Sequence, residues 1–395
     1  MLAYGIAGRG DAVERNVAVG TKFMLEVNAS AILTHLRSAG RASVSALAKQ
    51  AGLSRQAVSR SLAVLEAMGL IEMSAPDRAA AAAGRPPQMV RFRAEAGHVV
   101  VLDVQPGHVR AVVADLAGEV TTEVTAPLRR EALAGSLAAA VRDLLDRAGL
   151  TPPEVWHVSA SAPGIVNPVT GHVTLSVSMP ELVGDVILTG VREALDAPLY
   201  VDNDIKLATK GERWRGAPHV EDSLVFIDWG ERIGAGIELR GELYRGASND
   251  AGDIGYLDLF APSGEAGDPD LGPFERWAGT RELLRLAGAG TLAELPTAPG
   301  GPAAIQTVAR RFAKGIAAIR ALLDPEVIVI GGDIAQLGPV LLDALVDALR
   351  AEKLNQPRLE ISTLGADAIV QGAIRHSLSW VERERFDASA IRKET

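Results

Sequence analysis

The stretch HVVVLDVQPGHVRAVVADLAGEVTTEVTAP, residues 98–127, alternates apolar and polar side chains across turns at Gln105–Gly107 and Ala117–Gly118. It reads as three antiparallel strands. The same strand–turn–strand pattern returns in SLVFIDWGERIGAGIELRGELYRG, residues 223–246. After the first copy come an amphipathic helix (131–149), a strand and loop (155–173), and a strand that ends in Asp202-Asn203-Asp204 and runs straight into a helix. After the second come a helix, the buried strand Val327–Ile330 and a Gly331-Gly332 turn into another helix. Two β-rich halves, each opened by a hairpin and closed by helices, predict a duplicated α/β body with a cleft between lobes.

The chain ahead of this repeat has a different grammar. AILTHLRSAG (31–40) has helical apolar spacing through Ile32, Leu33 and Leu36, with Asn28 or Ser30 available as a cap and Gly40 as a stop. A second short helix, VSALAKQA, ends at Gly52, and Ser54 caps a third, RQAVSRSLAVLEAMG. In that third helix Val58, Leu62 and Leu65 share one face and leave Arg55, Gln56, Ser59 and Arg60 on the other. Two helices joined by a tight glycine turn, the second polar near its start, match a helix-turn-helix. Ser, Gln and Arg are side chains that contact base edges and phosphates, so Ser54, Arg55, Gln56, Ser59 and Arg60 are the candidate DNA contacts. Leu70–Ser74 and Gln88–Arg93 read as wing strands, and Gly84-Arg85-Pro86-Pro87 between them could place Arg85 in a minor groove. The plainer reading is a three-helix packing module with a solvated polar face.

Charge supports the first of these. Residues 1–95 hold 12 Lys+Arg against 7 Asp+Glu, leaving 28 basic and 42 acidic residues for the remainder. A basic head on an acidic body suits a nucleic-acid reader fused to a small-molecule domain. The chain has no cysteine, which excludes disulfides, thiolate zinc sites and cysteine nucleophiles. No signal-peptide pattern and no apolar run of spanning length occur, so a soluble cytoplasmic protein without a membrane partner is expected.

IDWGERIGAG, residues 227–236, looks like the glycine-rich backbone that wraps a phosphate, yet its tip carries Glu231 and Arg232. At this point the chain resembles a known family. SAPGIVNPVTGHV, VDND, RIGAGIELRGELYRGASNDAGDIGY, FERWAGTREL and LLDPEVIVIGG, with GRPP ahead of the first strand, resemble the ROK family of repressors and sugar kinases. The resemblance covers about the whole chain. It implies an N-terminal winged helix-turn-helix over residues 1–95 and a duplicated actin-like (ribonuclease H-like) body. Its lobes would span 96–215 and 216–367, with a C-terminal helix at about 368–385 packing back on the first.

Family kinases carry an Asp-x-Gly-x-Thr turn after the first strand, where this chain has Asp103-Val104-Gln105-Pro106-Gly107. Pro106 removes a backbone donor there. The second kinase turn resembles Leu-Gly-Thr-Gly-Ile-Gly-Ala-Gly, where this chain has Trp229 to Gly236 with Glu231 in place of the hydroxyl. A carboxylate facing a triphosphate opposes its binding. Both departures imply a body that is not an enzyme and holds no nucleotide or other cofactor. The sugar side implied by the resemblance comprises Gly164, Asn203, Asp204, Asp253, Tyr256 and Glu275. Asp253 and Tyr256 stand where the family has Glu and a zinc-binding His, and the family's cysteine cluster is absent, so no zinc is expected.

Each of these residues also has a structural reading. Asp204 could cap the helix that follows it, Asp253 and Tyr256 could form a surface turn, and Glu275 could sit at a helix start. Lys206 and Lys210 read as a solvated face, or as partners of an acidic ligand, and His157 and His172 as structural. The function read from the chain is a transcriptional regulator that binds an operator and senses a sugar or sugar derivative. The alternatives are an ATP-dependent sugar kinase with an added head, and a regulator that has lost its ligand site and answers to a protein partner. Because one winged helix reads a half-site, a homodimer or homotetramer is expected. Arg60→Ala should weaken operator binding by about tenfold or more, measured by fluorescence anisotropy at fixed salt; unchanged affinity would move the recognition face elsewhere.

Overall fold

The structure, a computed structural model, describes residues 10–74, 88–216, 222–258, 268, 270–350 and 358–394. The head comprises α1 (Gly10–Ala39), β1 (Arg41–Ser43), α2 (Val44–Ala51), α3 (Arg55–Ala67), β2 (Ile71–Ser74) and β3 (Met89–Phe92). Gly52, in the left-handed region, closes α2, and the Ser54 side chain accepts from the Ala57 N–H to open α3. The wing is a sheet in the order β1-β3-β2. Arg85 and the Gly84-Arg85-Pro86-Pro87 element lie outside the described residues.

One head expectation is corrected. The first helix begins near Gly10 rather than at Ala31, so Asn28 and Ser30 are interior residues and not caps. Nothing upstream stops the helix: no proline interrupts residues 11–30, and Ala29, Ile32, Leu33 and Leu36 give the helix a buried stripe.

The body begins with β4 (His98–Gln105), β5 (His108–Asp115), β6 (Val120–Pro127), α4 (Leu133–Ala148), β7 (Val155–Ala162) and the short pair β8 (Ile165–Val166) and β9 (Val173–Leu175). It continues through α5 (Val186–Arg192), β10 (Leu199–Asn203) and α6 (Asp204–Gly211). The second half holds β11 (Ser223–Trp229), β12 (Ile233–Leu239), β13 (Glu242–Tyr244), α7 (Pro273–Ala278), α8 (Thr280–Ala287) and α9 (Gly301–Leu323). Then follow β14 (Val327–Gly331), α10 (Pro339–Arg350), β15 (Arg358–Ile361), α11 (Asp367–Val381) and α12 (Ala388–Glu394).

The two large sheets have the orders β10-β7-β4-β5-β6 and β13-β12-β11-β14-β15. Numbered within each half, both are 3-2-1-4-5. The first three strands pair antiparallel and the last two add in parallel. The duplication visible in the sequence is therefore a duplication of topology. Each half buries its own apolar cluster, built on β4–β7 with α4 and α5 in one and on β11–β14 with α9 and α10 in the other.

In both halves the fifth strand feeds a helix, α6 after β10 and α11 after β15, and these two helices cross. Gly211 of α6 abuts the Ala368 carbonyl, and Gly372 of α11 abuts the Leu207 carbonyl. A Cβ at either position would overlap backbone. On its other side α6 packs on β12, where Gly234 and Gly236 leave room for Ile205 and Thr209.

The head is joined to the body by the end of the chain. A π turn, Glu382–Phe386, continues α11. Glu382 accepts from Arg375 of α11 at 2.7 Å and from Arg37 of α1 at 3.0 Å. Phe386 meets Phe92 of the wing and Trp156 of β7 edge-on, at centroid distances of 6.5 and 6.2 Å. One apolar cluster runs from α1 and α3 through the outer face of β4 and β5 to α11, Phe386 and Ile391.

In an exposed helix Gly→Ala stabilises by up to about 1 kcal/mol. Gly372→Ala should instead destabilise the protein by about 1–3 kcal/mol, because the added methyl has no space at the crossing. Urea unfolding decides the sign.

Candidate functional site

The exposed face of α3 carries the candidate DNA contacts. Ser54, Arg55, Gln56, Ser59 and Arg60 are exposed, while Val58, Leu62 and Leu65 on the opposite face are buried. Position within the helix explains the split: Val58, Leu62 and Leu65 fall on one stripe, and the N-terminal turn projects away from the core.

Between the lobes lies a cavity of about 580 Å³. Its walls come from the first turn after β4, the loop after β7, the start of α6, the β11–β12 turn, the 249–256 loop and α7. Gly164, Asn203, Asp204, Asp253, Tyr256 and Glu275 all line it. The fold thus gathers residues from four separate segments to one place.

Asn203 organises the α6 end. Its Oδ1 accepts from the Lys206 N–H at 3.1 Å, so the helix cap is Asn203 and not Asp204. Its Nδ2 donates to the Gly164 carbonyl at 2.9 Å and to Asp204 Oδ1 at 2.8 Å. Gly164 cannot be replaced without overlap, since a Cβ there would run into the Leu175 carbonyl. Asp204 Oδ1 also accepts from the Ile205 N–H at 2.8 Å, and no described residue hydrogen-bonds Oδ2. Burial, then the neighbouring carboxyl of Asp228 and that of Asp103, push the Asp204 carboxyl up to about 7. Burial and Asp333 push Asp228 up to about 6. Burial, Asp250 and Glu275 do the same for Asp253, to about 6.

Asp253 and Tyr256 are exposed on the cavity wall, with Tyr256 at 47%. Glu275 is buried, and both of its oxygens are occupied: Oε1 accepts from the Ile233 N–H at 2.9 Å and Oε2 from the Gly272 N–H at 2.7 Å. It is the third residue of α7, so its structural reading as a helix-start carboxylate holds alongside its place on the wall. It shapes the cavity by tying β12 to α7.

Both phosphate-type turns are internally engaged. Gln105 Nε2 donates to Asp103 Oδ1 at 2.9 Å, and Ser161 Oγ donates to the same oxygen at 2.7 Å. At the second turn Glu231 forms an ion pair with Arg281 of α8, which also holds Asp268 at 2.7 Å. The amino end of α8 meets the same turn through the Thr280 N–H on the Gly230 carbonyl, 3.0 Å. Of the three glycines that survive, Gly234 and Gly236 are those α6 needs for close packing, and Gly230 faces Asp333 and the Arg232 carbonyl.

Lys206 corrects the reading of a solvated face. Its side chain is buried, and burial lowers its basicity; Lys210 is half-buried with the same shift. β12 packs on α6 through Ile205 and Thr209, and Asp202, Arg245 and Asp250 lie close enough to act on Lys206. A bridge between lobes also escaped the sequence: Asp202 at the end of β10 accepts two hydrogen bonds from Arg245, at 2.8 and 2.6 Å, and one from Tyr200 at 2.6 Å. No sequence signal joins residues so far apart. His157 is buried against Ser377 Oγ at 2.9 Å, and His172 is exposed. Among the described residues no group of three or more His, Asp or Glu could hold a metal ion, and no helix is long and apolar enough to cross a membrane.

The sequence pattern of the ROK family matches residues 99–378, and that of the MarR family matches residues 25–80. The xylose repressor of Caldicellulosiruptor bescii is 23% identical over 75% of this chain and 82% of its own. A crystal structure of a ROK family transcriptional regulator, a homolog of the E. coli MLC protein, superposes with a TM-score of 0.71 at 20% identity. It covers 94% of this chain and 99% of that one. The ROK hexokinase of Thermus thermophilus gives 0.58 at 27% identity over 72% of this chain and 99% of its own.

Asp204 generates a pH prediction. Its carboxyl keeps a proton to about pH 7 in the fold but releases it near pH 4 when unfolded. The folded state therefore binds more protons between these values, and stability is lost as pH rises through 7. Asp204→Asn should raise stability at pH 8 by about 1 kcal/mol and flatten the loss between pH 6 and 8. Urea unfolding at both pH values tests this; an unchanged pH slope would place the proton elsewhere.

Proposed function

The chain belongs to the ROK family, and from that premise we propose that it is a DNA-binding transcriptional repressor whose interlobe cavity senses a sugar or sugar derivative and that does not phosphorylate it. The observation that carries this reading is the second phosphate-type turn, where Glu231 is paired with Arg281 and where Gly234 and Gly236 make room for α6. The exposed Arg55, Gln56, Ser59 and Arg60 supply the operator face, and the repressor-named relatives agree with it. Asn203 and Asp204 supply acceptors and a donor for sugar hydroxyls, with Gly164, Asp253, Tyr256 and Glu275 completing the wall. Residues 1–95, 96–215 and 216–367 are the corresponding working units.

The lever is α6. Its first turn forms the cavity floor, its glycine crosses α11, and α11 runs into the turn that holds Arg37 and Phe92. A ligand that favours one lobe arrangement moves α6 against α11 and with it the seat of the head. Operator affinity changes by the ligand's differential affinity for the two arrangements, and by no more. Two heads must be set at half-site spacing for this to register, so the working form is a homodimer or homotetramer.

A kinase reading draws on one observation, that a carboxyl titrating near 7 at Asp204 suits a general base. Both phosphate-type turns oppose it. Anisotropy on duplexes tiled across the protein's own promoter, with and without a sugar panel, tests the proposal. One palindromic site should bind tightly and shift with one sugar. Asp204→Ala should keep operator affinity and lose the shift. Sugar-dependent ATP consumption without specific DNA binding would reverse the assignment.

A further inference from the structure

One stretch of the cavity wall is built inside out. In Leu175-Ser176-Val177 the polar residue is buried and the two apolar ones are exposed, Leu175 at 50% and Val177 at 41%. Alternation along an extended chain ordinarily turns the apolar side chains inward. Here Ser176 Oγ donates to the Pro163 carbonyl and accepts from the Met179 N–H, which fixes the serine inside and its neighbours outside. The β8–β9 pairing sets Leu175 opposite Ile165.

Leu175, Val177, Ile165, Pro163 and Pro106 line the cavity together, all from the first lobe. Their side chains offer a ligand no hydrogen bond. Ser178 supplies the one hydroxyl on this side, and Gln105 turns its amide N–H to Asp103. Contiguous exposed apolar surface of this kind marks a binding groove. Closing the lobes would not cover it. The exposed side chains of the second lobe along the cavity are Glu231, Arg232, Asp250, Asp253 and Tyr256, four of them charged. Charges pressed onto apolar side chains would lose hydration without gaining partners. Asn203 and Asp204, with their hydrogen-bonding groups, lie at the α6 end of the same cavity. The occupant that satisfies both surfaces is polar at one end and apolar at the other.

We propose that the cavity takes a glycoside whose sugar lies on Asn203 and Asp204 and whose apolar aglycone, an aryl group, covers Leu175 and Val177. The inference rests on the sugar-sensing reading and names the class of sugar derivative. An aryl group is rigid and buries a large apolar area with little conformational entropy to lose. A cavity of about 580 Å³ lies in the range that encloses drug-sized ligands, so it holds a ring beyond the sugar. Leu175 and Val177 are then the specificity-determining residues, selecting aryl glycosides over free sugars by the apolar area they bury.

Titration calorimetry on the full chain tests this with glucose, galactose, mannose and xylose, each beside its methyl and phenyl β-glycosides. One phenyl glycoside should bind about tenfold or more tightly than the methyl glycoside of the same sugar. Leu175→Gln combined with Val177→Thr, which makes the wall polar at similar size, should shrink that gap to about threefold or less. A sugar that binds, but whose phenyl glycoside is no tighter than its methyl glycoside, overturns the proposal and leaves sugar sensing standing. A gap that survives the double substitution overturns it as well. Silence toward every sugar and glycoside overturns both readings. Should the double variant fail to fold, the comparison of phenyl with methyl glycosides on the unaltered protein still decides.

Discussion

Two helices touch backbone to backbone where Gly211 and Gly372 meet the carbonyls opposite, and the rest of the molecule is arranged around that contact. It lets α6 and α11, the equivalent helices of a duplicated fold, lie closer than any side chain would permit. The same α6 is pressed from its other face by β12 through Gly234 and Gly236. A helix held on two sides by glycine surfaces has little freedom to drift and moves with its neighbours. The cavity-lining residues of α6 sit at its first turn, so whatever displaces them displaces the crossing.

Much of this was legible in the chain. The strand alternation and its turns identified both hairpins, and the repeat of the pattern identified the duplication. Ser54 and the apolar stripe Val58, Leu62, Leu65 marked the third helix because cap and stripe are local signals. The failures share a cause. The upstream half of α1 has weak periodicity, and Asn28 and Ser30 resembled caps because both residue types favour that position. Lys206 looked like a surface lysine because a helix taken alone shows its periodicity but not the segments that the fold brings around it. Arg245 and Asp202 are joined only by the closing of two lobes. The glycines of the β11–β12 turn were visible as glycines, but their reason, the side chains of Ile205 and Thr209, lies on another element.

The cleft also shows what the site costs the fold. Asp204, Asp228 and Asp253 are carboxyls that resist ionisation, and the folded state would be easier to hold without them. Around them the turns that would cradle phosphates are closed by the protein's own groups, Gln105 on Asp103 and Arg281 on Glu231. Charge that a nucleotide would meet at such turns is here met internally.

The packing of Phe386 and Ile391 beneath the head has a consequence for synthesis. A ribosome finishes the recognition helix more than 300 residues before it makes the last parts of the cluster on which the head rests. Contacts of such long sequence separation form late in folding. A nascent or prematurely terminated chain carries a complete reading helix on an incomplete foundation, without Glu382 to hold Arg37 or Phe386 to support Phe92. The order of translation thus leaves the seat of the head as one of the last parts of the fold to form.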